Sequence, residues 1–182
     1  MTKVLLISDS HFENDILEKV INYHQDIDLY IHCGDSSLPY HHALLNNFIT
    51  VKGNHDEDDH FLTDRFTNIN GIRTFITHGH LYHVYKSDEM LIEKAKKLKC
   101  SLILHGHTHI PEFKKIGPYT IINPGSLMFN RGNYGYGTYA IMTISDDLDI
   151  HCHFYHHITH EIVDEVVLSD GKEMLQMLRN MN

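Results

Sequence analysis

The segment Val4-Leu5-Leu6-Ile7-Ser8-Asp9-Ser10-His11 passes from four apolar residues into a polar turn that contains an aspartate and a histidine. A short aliphatic run of this kind is typical of a buried strand. In layered α/β proteins, ligands bind at the carboxyl ends of such strands. The segment therefore predicts an α/β fold with a polar site where the first strand ends.

Four further strand-like runs along the chain also end in residue types that bind metal ions. They lead into Gly34-Asp35, Gly53-Asn54-His55-Asp56, His78-Gly79-His80 and His105-Gly106-His107-Thr108-His109. The glycines permit tight turns and close approach of the backbone. Five such motifs in order indicate that several strand ends meet at one site.

Strand-like and helix-like segments alternate through the first two-thirds of the chain, which favours largely parallel strands. The predicted strands there are Val4–Ile7, Leu29–His32, Phe48–Val51, Arg73–Thr77 and Leu102–Leu104, and the predicted helices are Asn14–His24 and Asp88–Leu98. The last third predicts antiparallel hairpins in a second sheet, followed by a helix. Its strands are Phe113–Ile116, Tyr119–Ile122, Thr138–Ile144, Leu148–Phe154 and Ile162–Leu168, and its helix is Gly171–Arg179.

Length and composition favour a compact protein that acts on small molecules. The 182 residues suit a single domain spanning 1–182, and the formal net charge is −9. An acidic surface repels nucleic acid backbones and anionic membranes, so we expect neither as a partner. No apolar run approaches the ~20 residues of a membrane span, and the first residues lack the shape of a signal peptide. Three widely separated cysteines suggest reduced thiols and a cytoplasmic location.

The ligand types in the five motifs suit divalent ions that prefer oxygen and imidazole. Aspartate, histidine and asparagine without cysteine favour manganese, iron or zinc over a structural thiolate site. Two aspartates against two divalent ions leave a local charge of about +2, which attracts an anionic phosphate. A hydroxide held between two ions ~3.5–4 Å apart can attack phosphorus in line.

Together the motifs resemble those of the calcineurin-like metallophosphoesterases. The matching residues are Asp9-Ser10-His11, Gly34-Asp35, Gly53-Asn54-His55-Asp56, His78-Gly79 and Gly106-His107-Thr108-His109. The short length and the Asn123-Pro124-Gly125-Ser126 turn are similar to the small YfcE-type phosphodiesterases. The resemblance extends to about Ile144 and implies a four-layer α/β/β/α sandwich, in which two mixed β-sheets are flanked by helices.

The resemblance also implies roles for individual residues. One ion would be held by Asp9, His11, Asp35 and His109, and the other by Asp35, Asn54, His78 and His107, so that Asp35 bridges the pair. His55 would protonate the leaving oxygen or stabilise charge near the phosphate. Asp56 would orient the His55 imidazole, although it also suits a helix N-cap. Manganese is the expected ion, with iron, zinc, nickel and cobalt as alternatives.

Other polar residues have simpler interpretations beside the functional ones. His80 and His105 are expected to lie next to the ligands or at the surface, with direct binding of an ion as the alternative. Cys33 is expected to fill a buried strand position. The segment His151–His160 is expected to form a solvent-facing edge strand, with metal binding or a pH-sensitive contact as the alternative. Arg131 is either a clamp for the substrate phosphate or a surface residue.

These observations favour a metal-dependent phosphodiesterase that hydrolyses small phosphodiesters. One alternative is a non-catalytic, protein-binding scaffold on the same fold, like the retromer subunit that has lost the catalytic histidine; here His55 is present. The other is a phosphomonoesterase or protein phosphatase, although the chain has no insertion long enough to form a deep substrate pocket. Exposed strand edges also predict a homo-oligomer, a dimer or tetramer.

Overall fold

The computed structural model describes residues 1–181, which form ten strands and three helices. The strands are β1 (Thr2–Ile7), β2 (Leu29–His32), β3 (Phe48–Thr50), β4 (Asp64–Ile69), β5 (Ile72–Thr77), β6 (Leu102–Leu104), β7 (Glu112–Ile116), β8 (Tyr119–Asn123), β9 (Thr138–Ile144) and β10 (Ile150–His156). The helices are α1 (Asn14–Tyr23), α2 (Glu89–Leu98) and α3 (Asp164–Met181), and short 3-10 turns occur at Ala43–Leu45 and His80–Tyr82.

The strands make two mixed sheets of five strands each. The first has the order β10-β9-β1-β2-β3, and the second has the order β4-β5-β6-β8-β7. In the first sheet β1, β2 and β3 are parallel, and in the second β5, β6 and β8 are parallel. The carboxyl ends of β1, β2, β3, β5 and β6 therefore lead into the loops that carry the predicted ligands.

Alternation along β1 explains how the layers are held together, because successive side chains of a strand point to opposite faces. Val4 and Leu6 lie in the core between the two sheets. Leu5 and Ile7 pack on the opposite face with Leu17 of α1. On the outer face of the second sheet, residues of β5 and β6 pack with the buried side of α2. The predicted four-layer α/β/β/α sandwich is confirmed.

The last third of the chain divides between the sheets, so the prediction that it forms a second sheet of its own is wrong. β7 and β8 join the second sheet beside β6, whereas β9 and β10 return to the first sheet beside β1. Val4 of β1 pairs with Met142 of β9. Hairpin patterning reveals each pair of strands, but it contains no information about which distant strand the hairpin joins.

The predicted strand Ile162–Leu168 is also wrong, because α3 already begins at Asp164. The Asp164 carboxylate accepts hydrogen bonds from the Phe154 amide and from the His153 ring, which fixes this end of the helix against β10. Gly171 lies within α3 and not at its start. A Cβ there would lie 2.9 Å from the Pro111 carbonyl oxygen, so glycine permits the helix to pass close to that backbone.

Strand β4 is absent from the sequence-based prediction. It pairs with β5 through a tight turn at Asn70-Gly71, where both residues have a left-handed backbone, with φ values of 48° and 90°. An Asn-Gly pair between two strands favours such a hairpin, so this dipeptide was the available indication. Within residues 1–181, no helix combines the length and the apolar character needed to cross a membrane.

Candidate metal centre

Backbone hydrogen bonds tie together the loops that follow the central strands. The amide of His11 donates to the Asp35 carbonyl at 2.9 Å, which links the loops after β1 and β2. The amide of Gly106 donates to the His78 carbonyl at 3.0 Å, which links the loops after β6 and β5. The ligand-bearing loops of each sheet are thus held in fixed register with one another.

A first group of potential ligands consists of Asp9, His11 and His109, whose ligand atoms all lie within 4.8 Å of one another. Oδ1 of Asp9 is 3.1 Å from Nε2 of His109. The other oxygen of Asp9 accepts the His107 amide at 3.0 Å, which connects the first sheet to the second. These three residues are among the four predicted for one ion.

A second group of potential ligands surrounds the fully buried His78. Its Nε2 lies 3.2 Å from Oδ2 of Asp35, 3.2 Å from Oδ1 of Asn54 and 3.8 Å from Oδ1 of Asp9. The ring of His107 is 5.1 Å from that of His78, centroid to centroid. The structure thus brings together the four residues predicted for the other ion. Asp9 belongs to both groups, whereas Asp35, the predicted bridging residue, belongs to the second.

Unusual backbone geometry is concentrated in these loops. Five of the seven predicted ligands have a left-handed backbone, with φ between 45° and 67°: Asp9, His11, Asp35, His107 and His109. Such conformations are uncommon for residues other than glycine and cost free energy, so the surrounding structure must impose them. Clusters of this kind occur at functional sites.

Two glycines allow the loops to approach closely enough to form the site. A Cβ at Gly53 would lie 2.0 Å from Oδ1 of Asp35, and a Cβ at Gly106 would lie 1.9 Å from Oγ of Ser8. Any side chain would therefore displace the carboxylate of Asp35 or the hydroxyl that donates to Asp9. Both positions require glycine because of this close approach.

Electrostatics couple the buried carboxylates to His78. Burial disfavours the charged imidazole, but Asp9 and Asp35 outweigh this effect and raise the pKa of His78 to about 9. Burial likewise opposes ionisation of Asp9, yet His78 and His109 hold its pKa well below the ordinary range. Burial lowers the pKa of His107 to about 4, so its imidazole is neutral at pH 7 and can bind a cation.

Two observations show that a divalent cation fits this arrangement. Oδ1 of Asp9 is buried and accepts no hydrogen bond within residues 1–181, although it lies between His78 and His109. The Nδ1–H of His78 donates to the Cys33 carbonyl at 2.7 Å, which directs Nε2 towards the oxygens of Asp9, Asp35 and Asn54. Ligating histidines are commonly oriented by such a hydrogen bond from the second ring nitrogen. A cation would therefore replace the proton on Nε2.

His55 lies at the exposed rim of the site. Its amide donates to Oδ1 of Asp35 at 2.8 Å, and its ring is 5.4 Å from the ring of His11. The predicted contact between the Asp56 carboxylate and the His55 imidazole is not formed in residues 1–181. Instead Asp56, which is buried, accepts backbone N–H bonds at 2.8 Å each from Asp35, Gly53 and Ser37. A carboxylate three positions from an amide is suited to this local turn, and Asp56 thus fixes the backbone of the loops.

The Asn123-Pro124-Gly125-Ser126 turn forms hydrogen bonds with the backbone of two loops of the candidate centre. Nδ2 of Asn123 donates to the Gly106 carbonyl at 3.0 Å, and Oγ of Ser126 donates to the Asp9 carbonyl at 2.8 Å. This turn therefore holds one ligand loop from each sheet. The sequence contains the turn as a recognisable motif, but not the identity of the loops that it contacts.

Tyr85 lies beside His107, and Arg131 lies beside Tyr85; both are outside the predicted ligand set. The Tyr85 ring is 5.3 Å from the His107 ring, centroid to centroid, and its hydroxyl donates to the His107 carbonyl at 3.3 Å. The Arg131 guanidinium stands 5.6 Å from the centroid of the Tyr85 ring, and its amide donates to the His109 carbonyl at 2.8 Å. No motif marks Tyr85 in the sequence.

The two histidines that flank the ligands have different surroundings. His80 is partly buried, with its ring 5.3 Å from that of His78 and 6.0 Å from that of His107. His105 is completely buried, and its Nε2 faces Oε2 of Glu112 at 3.6 Å, away from the carboxylates of the centre. Neither belongs to the two ligand groups found in residues 1–181.

The histidine-rich segment lies on β10, an edge strand of the first sheet, and on the turn that follows. His151 and His153 point to solvent, whereas His157 lies beyond the end of the strand. His153 contacts a carboxylate, with Nδ1 2.7 Å from Oδ2 of Asp164. The segment forms no group of metal ligands in the described part of the chain.

Comparison with known proteins connects this arrangement to a family. Residues 2–147 match the calcineurin-like phosphoesterase superfamily domain. The probable metallophosphoesterase YsnB of Bacillus subtilis is 33% identical over 162 residues, which cover 88% of this chain and 95% of that protein. The phosphodiesterase MJ0936 of Methanocaldococcus jannaschii is 28% identical over 143 residues, which cover 68% of this chain and 82% of that protein.

Solved structures show the same fold. A predicted phosphoesterase from Streptococcus pneumoniae has a TM-score of 0.81 at 27% identity, covering 89% of this chain and 92% of that one. Vps29 of Entamoeba histolytica, in complex with Zn²⁺, has a TM-score of 0.72 at 20% identity, covering 89% and 96%. The Escherichia coli phosphoesterase YfcE has a TM-score of 0.65 at 19% identity, covering 89% and 97%. At these last two identities the likeness concerns the fold alone.

Proposed function

This chain belongs to the calcineurin-like phosphoesterase superfamily, and from the side chains that converge at its strand ends we propose that it is a phosphodiesterase that uses two divalent metal ions to hydrolyse small phosphodiesters. The convergence of Asp9, Asp35 and Asn54 oxygens on Nε2 of His78 carries the proposal, because such a cluster is suited to a divalent cation. The phosphodiesterase MJ0936 among its relatives supports the diester specificity.

The residues divide into ligands and groups that would act on the substrate. Asp9, His11 and His109 would hold one ion, and Asp35, Asn54, His78 and His107 the other, with a carboxylate of Asp9 or Asp35 shared between them. When bound, two divalent ions supply an activated water and positive charge that stabilises the phosphate oxygens. Manganese is our first choice, with iron, zinc, nickel and cobalt as alternatives.

His55 is proposed as the general acid. Its ring is exposed at the rim and makes no hydrogen bond within residues 1–181, so it can meet an oxygen of the substrate. The Asp35 oxygen that accepts the His55 amide fixes the backbone from which the ring projects. Asp56 contributes indirectly, because it holds the amides of Gly53 and Asp35 in the same loops. Arg131 is proposed to contact the substrate phosphate from the side of His107.

The open rim favours diesters over bulky phosphoproteins. Asn54 and His55 are exposed, and no insertion covers them in the described part of the chain. A small substrate can therefore reach the centre directly. The acidic net charge of −9 makes a long nucleic acid an unsuitable substrate.

The test is hydrolysis of matched phosphomonoesters and phosphodiesters by metal-stripped protein refilled with Mn²⁺, Ni²⁺, Zn²⁺ or Mg²⁺. We expect turnover of small diesters to return with a transition metal, Mn²⁺ above all, and to exceed turnover of the matched monoesters. A protein that hydrolyses only monoesters would contradict the diester assignment. A protein that binds the ions yet hydrolyses neither class would contradict the catalytic assignment.

The second candidate is a non-catalytic, protein-binding scaffold, which the fold likeness to Vps29 supports. The exposed His55 distinguishes the two candidates, because a scaffold has no use for a free imidazole beside two ion sites. Binding of metal without hydrolysis, in wild type and His55→Ala alike, would favour the scaffold.

We also propose that the protein self-associates as a dimer or tetramer in the cytoplasm. The edge of β10 is partly covered, because Tyr155 bridges to Ile162. At the far edge of the second sheet, β4 leaves one side unpaired within residues 1–181 and exposes Phe66, which favours pairing there. The three free, buried cysteines are compatible with a reducing compartment. Light scattering at micromolar concentration should show a dimer or tetramer, and a monomer alone would contradict the proposal.

A further inference from the structure

A depression of about 460 Å³ opens beside the His55 ring and is not used by the metal ligands. Its lining combines apolar and acidic residues: Phe12, Ser37, Leu38, Pro39, His55, Glu57 and Asp58. A general acid must lie next to the oxygen that it protonates. If His55 has that role, the part of the substrate that departs must extend into this depression.

Phe12 forms an unusual wall of the depression. The side chain is 79% exposed, although it directly follows His11 of the metal centre. Exposure of a large aromatic side chain to water is not favourable, and its flat face can pack against a ligand. Leu38 and Pro39 lie in the same lining, and Leu38 is 93% buried, so the depression has a firm apolar base.

The charge of the depression is negative. Glu57 is exposed and forms no ion pair within residues 1–181. Asp58 accepts the amides of Tyr40 and His60 at 2.8 and 3.0 Å, and these bonds hold its pKa well below the ordinary range. Its Oδ1 also contacts the His60 ring, whose Nδ1 lies 2.7 Å away. Glu57 is therefore the lining carboxylate that is free to act on a ligand.

We propose that this depression binds the leaving group of the phosphodiester and selects a flat leaving group that is positively charged or neutral over one that carries a further negative charge. The proposal rests on the proposed function and names its substrate class. A cation gains from the carboxylate of Glu57 and from the face of Phe12, whereas an anion is repelled by Glu57. Diesters of aromatic alcohols fit, above all those whose ring carries an ammonium group, and diesters with a second phosphate do not.

The chemical step is balanced by groups already described. Water provides the oxygen that bonds to phosphorus, and the bond from phosphorus to the leaving oxygen breaks. The electron pair of that bond departs with the alcohol, which takes a proton from His55. The proton lost by the water restores His55 through solvent, so no other reactant is consumed.

The first experiment uses three methyl aryl phosphodiesters whose phenols have matched acidity. Their rings carry a remote trimethylammonium, amide or carboxylate group. With wild type we expect kcat/KM to fall in that order, by roughly tenfold from cation to anion. Glu57→Gln should reduce this span severalfold, chiefly by lowering kcat/KM for the cationic ester. Phe12→Leu should lower kcat/KM for all three esters.

Asp59→Asn is the matched control, because this carboxylate lies two residues from Glu57, pairs with Lys52 and does not line the depression. It should leave the order and the span unchanged. Equal kcat/KM for the three esters in wild type, or equal effects of Glu57→Gln and Asp59→Asn, would overturn the proposal.

A second experiment does not depend on turnover. The free cationic and anionic phenols are titrated into the protein, and binding is followed through the NMR signals of the Phe12 and Glu57 amides. The proposal predicts tighter binding of the cationic phenol at these amides, and the opposite order, or shifts at neither amide, would overturn it. If the cationic phenol binds there but no diester is hydrolysed by metal-loaded protein, the proposed function fails while the preference of the depression stands.

Discussion

Two regions of this molecule are rich in histidine, and they are built differently. At the strand ends His11, His78, His107 and His109 share a small volume with two buried carboxylates. Along β10 and the turn after it, the histidines of His151–His160 are distributed over the surface of an edge strand. Both regions are rich in histidine, so histidine content alone does not make a metal site.

The difference lies in the partners of the ring nitrogens. At the strand ends, Nε2 of His78 faces several oxygens at once. In the histidine-rich segment three rings have separate partners: His153 contacts Asp164, His157 donates to the Leu127 carbonyl at 2.6 Å, and His160 contacts the Tyr139 hydroxyl at 2.9 Å. Convergence on shared oxygens, and not the number of histidines, therefore distinguishes a candidate ion site.

The largest effect is expected from Asp35→Ala, which tests whether metal binding requires the oxygens that converge on Nε2 of His78. Its carboxylate lies 3.2 Å from Nε2 of His78 and accepts the His55 amide, so its loss should disturb the ions and the general acid together. Diester hydrolysis should fall to the level of metal-free protein, and ion content should fall with it. His153→Ala, which removes a histidine from the other region, should retain wild-type hydrolysis. Substantial activity in Asp35→Ala would show that the carboxylate is not part of the centre.

The next largest effect is expected from His55→Ala. The ring holds no ion in our account, so the ion content should equal that of wild type. Turnover should fall by ~10²–10⁴-fold for a diester with an alkoxide leaving group, which needs a proton. Turnover of a nitrophenyl ester should fall much less, because nitrophenolate departs without needing a proton. The measurement is kcat for both esters in wild type and variant. Equal decreases in kcat would assign His55 to charge stabilisation, and no decrease would show that His55 has no part in catalysis.

A smaller effect is expected in the pH dependence of metal binding. The pKa of His78 in metal-free protein is raised to about 9, so below that pH an ion must displace a proton from its ring. Affinity should therefore strengthen as pH rises towards about 9, by up to about tenfold per pH unit, and binding near pH 7 should release about one proton. Calorimetry in buffers of different ionisation enthalpy measures this number. Binding without proton release at pH 7 would contradict the coupling of His78 to the ions.

The smallest effects are expected in the histidine-rich segment. His151 points to solvent, so His151→Ala should change the free energy of unfolding by less than ~0.5 kcal/mol. His153→Ala removes a half-exposed pair with Asp164 and should cost about 0.2–1 kcal/mol. Urea unfolding measures both, and the ion content of both variants should equal that of wild type. A variant that loses an ion would show that this segment is a metal site after all.

The strands that lead into the candidate ligands could be predicted because their patterns are local. Apolar runs such as Leu102–Leu104 end at motifs whose residue types suit metal ions, and the resemblance to a family supplied the arrangement of layers. The placement of β9 beside β1 could not be predicted, since it depends on pairing between residues as distant as Val4 and Met142. The start of α3 was missed because the β-branched residues before Gly171 resemble a strand.

Within the candidate site, residue types were predictable and contacts were not. The partners of Asp56 are amides brought near by the folded loops, including that of Asp35, which is 21 residues away in sequence. The position of Asp9 in both ligand groups, and that of Tyr85 beside His107, likewise follow from how the two sheets pack together. A motif identifies a ligand, but only the folded loops determine which ligands share an ion.

The central claim is that the convergent histidines and carboxylates hold two ions. The most direct test is the number of ions per chain in wild-type protein saturated with Mn²⁺, measured by native mass spectrometry and by elemental analysis of the same sample. Our account predicts two ions per chain, and fewer in Asp35→Ala. One ion per chain in saturated wild type, or two ions retained in Asp35→Ala, would contradict it.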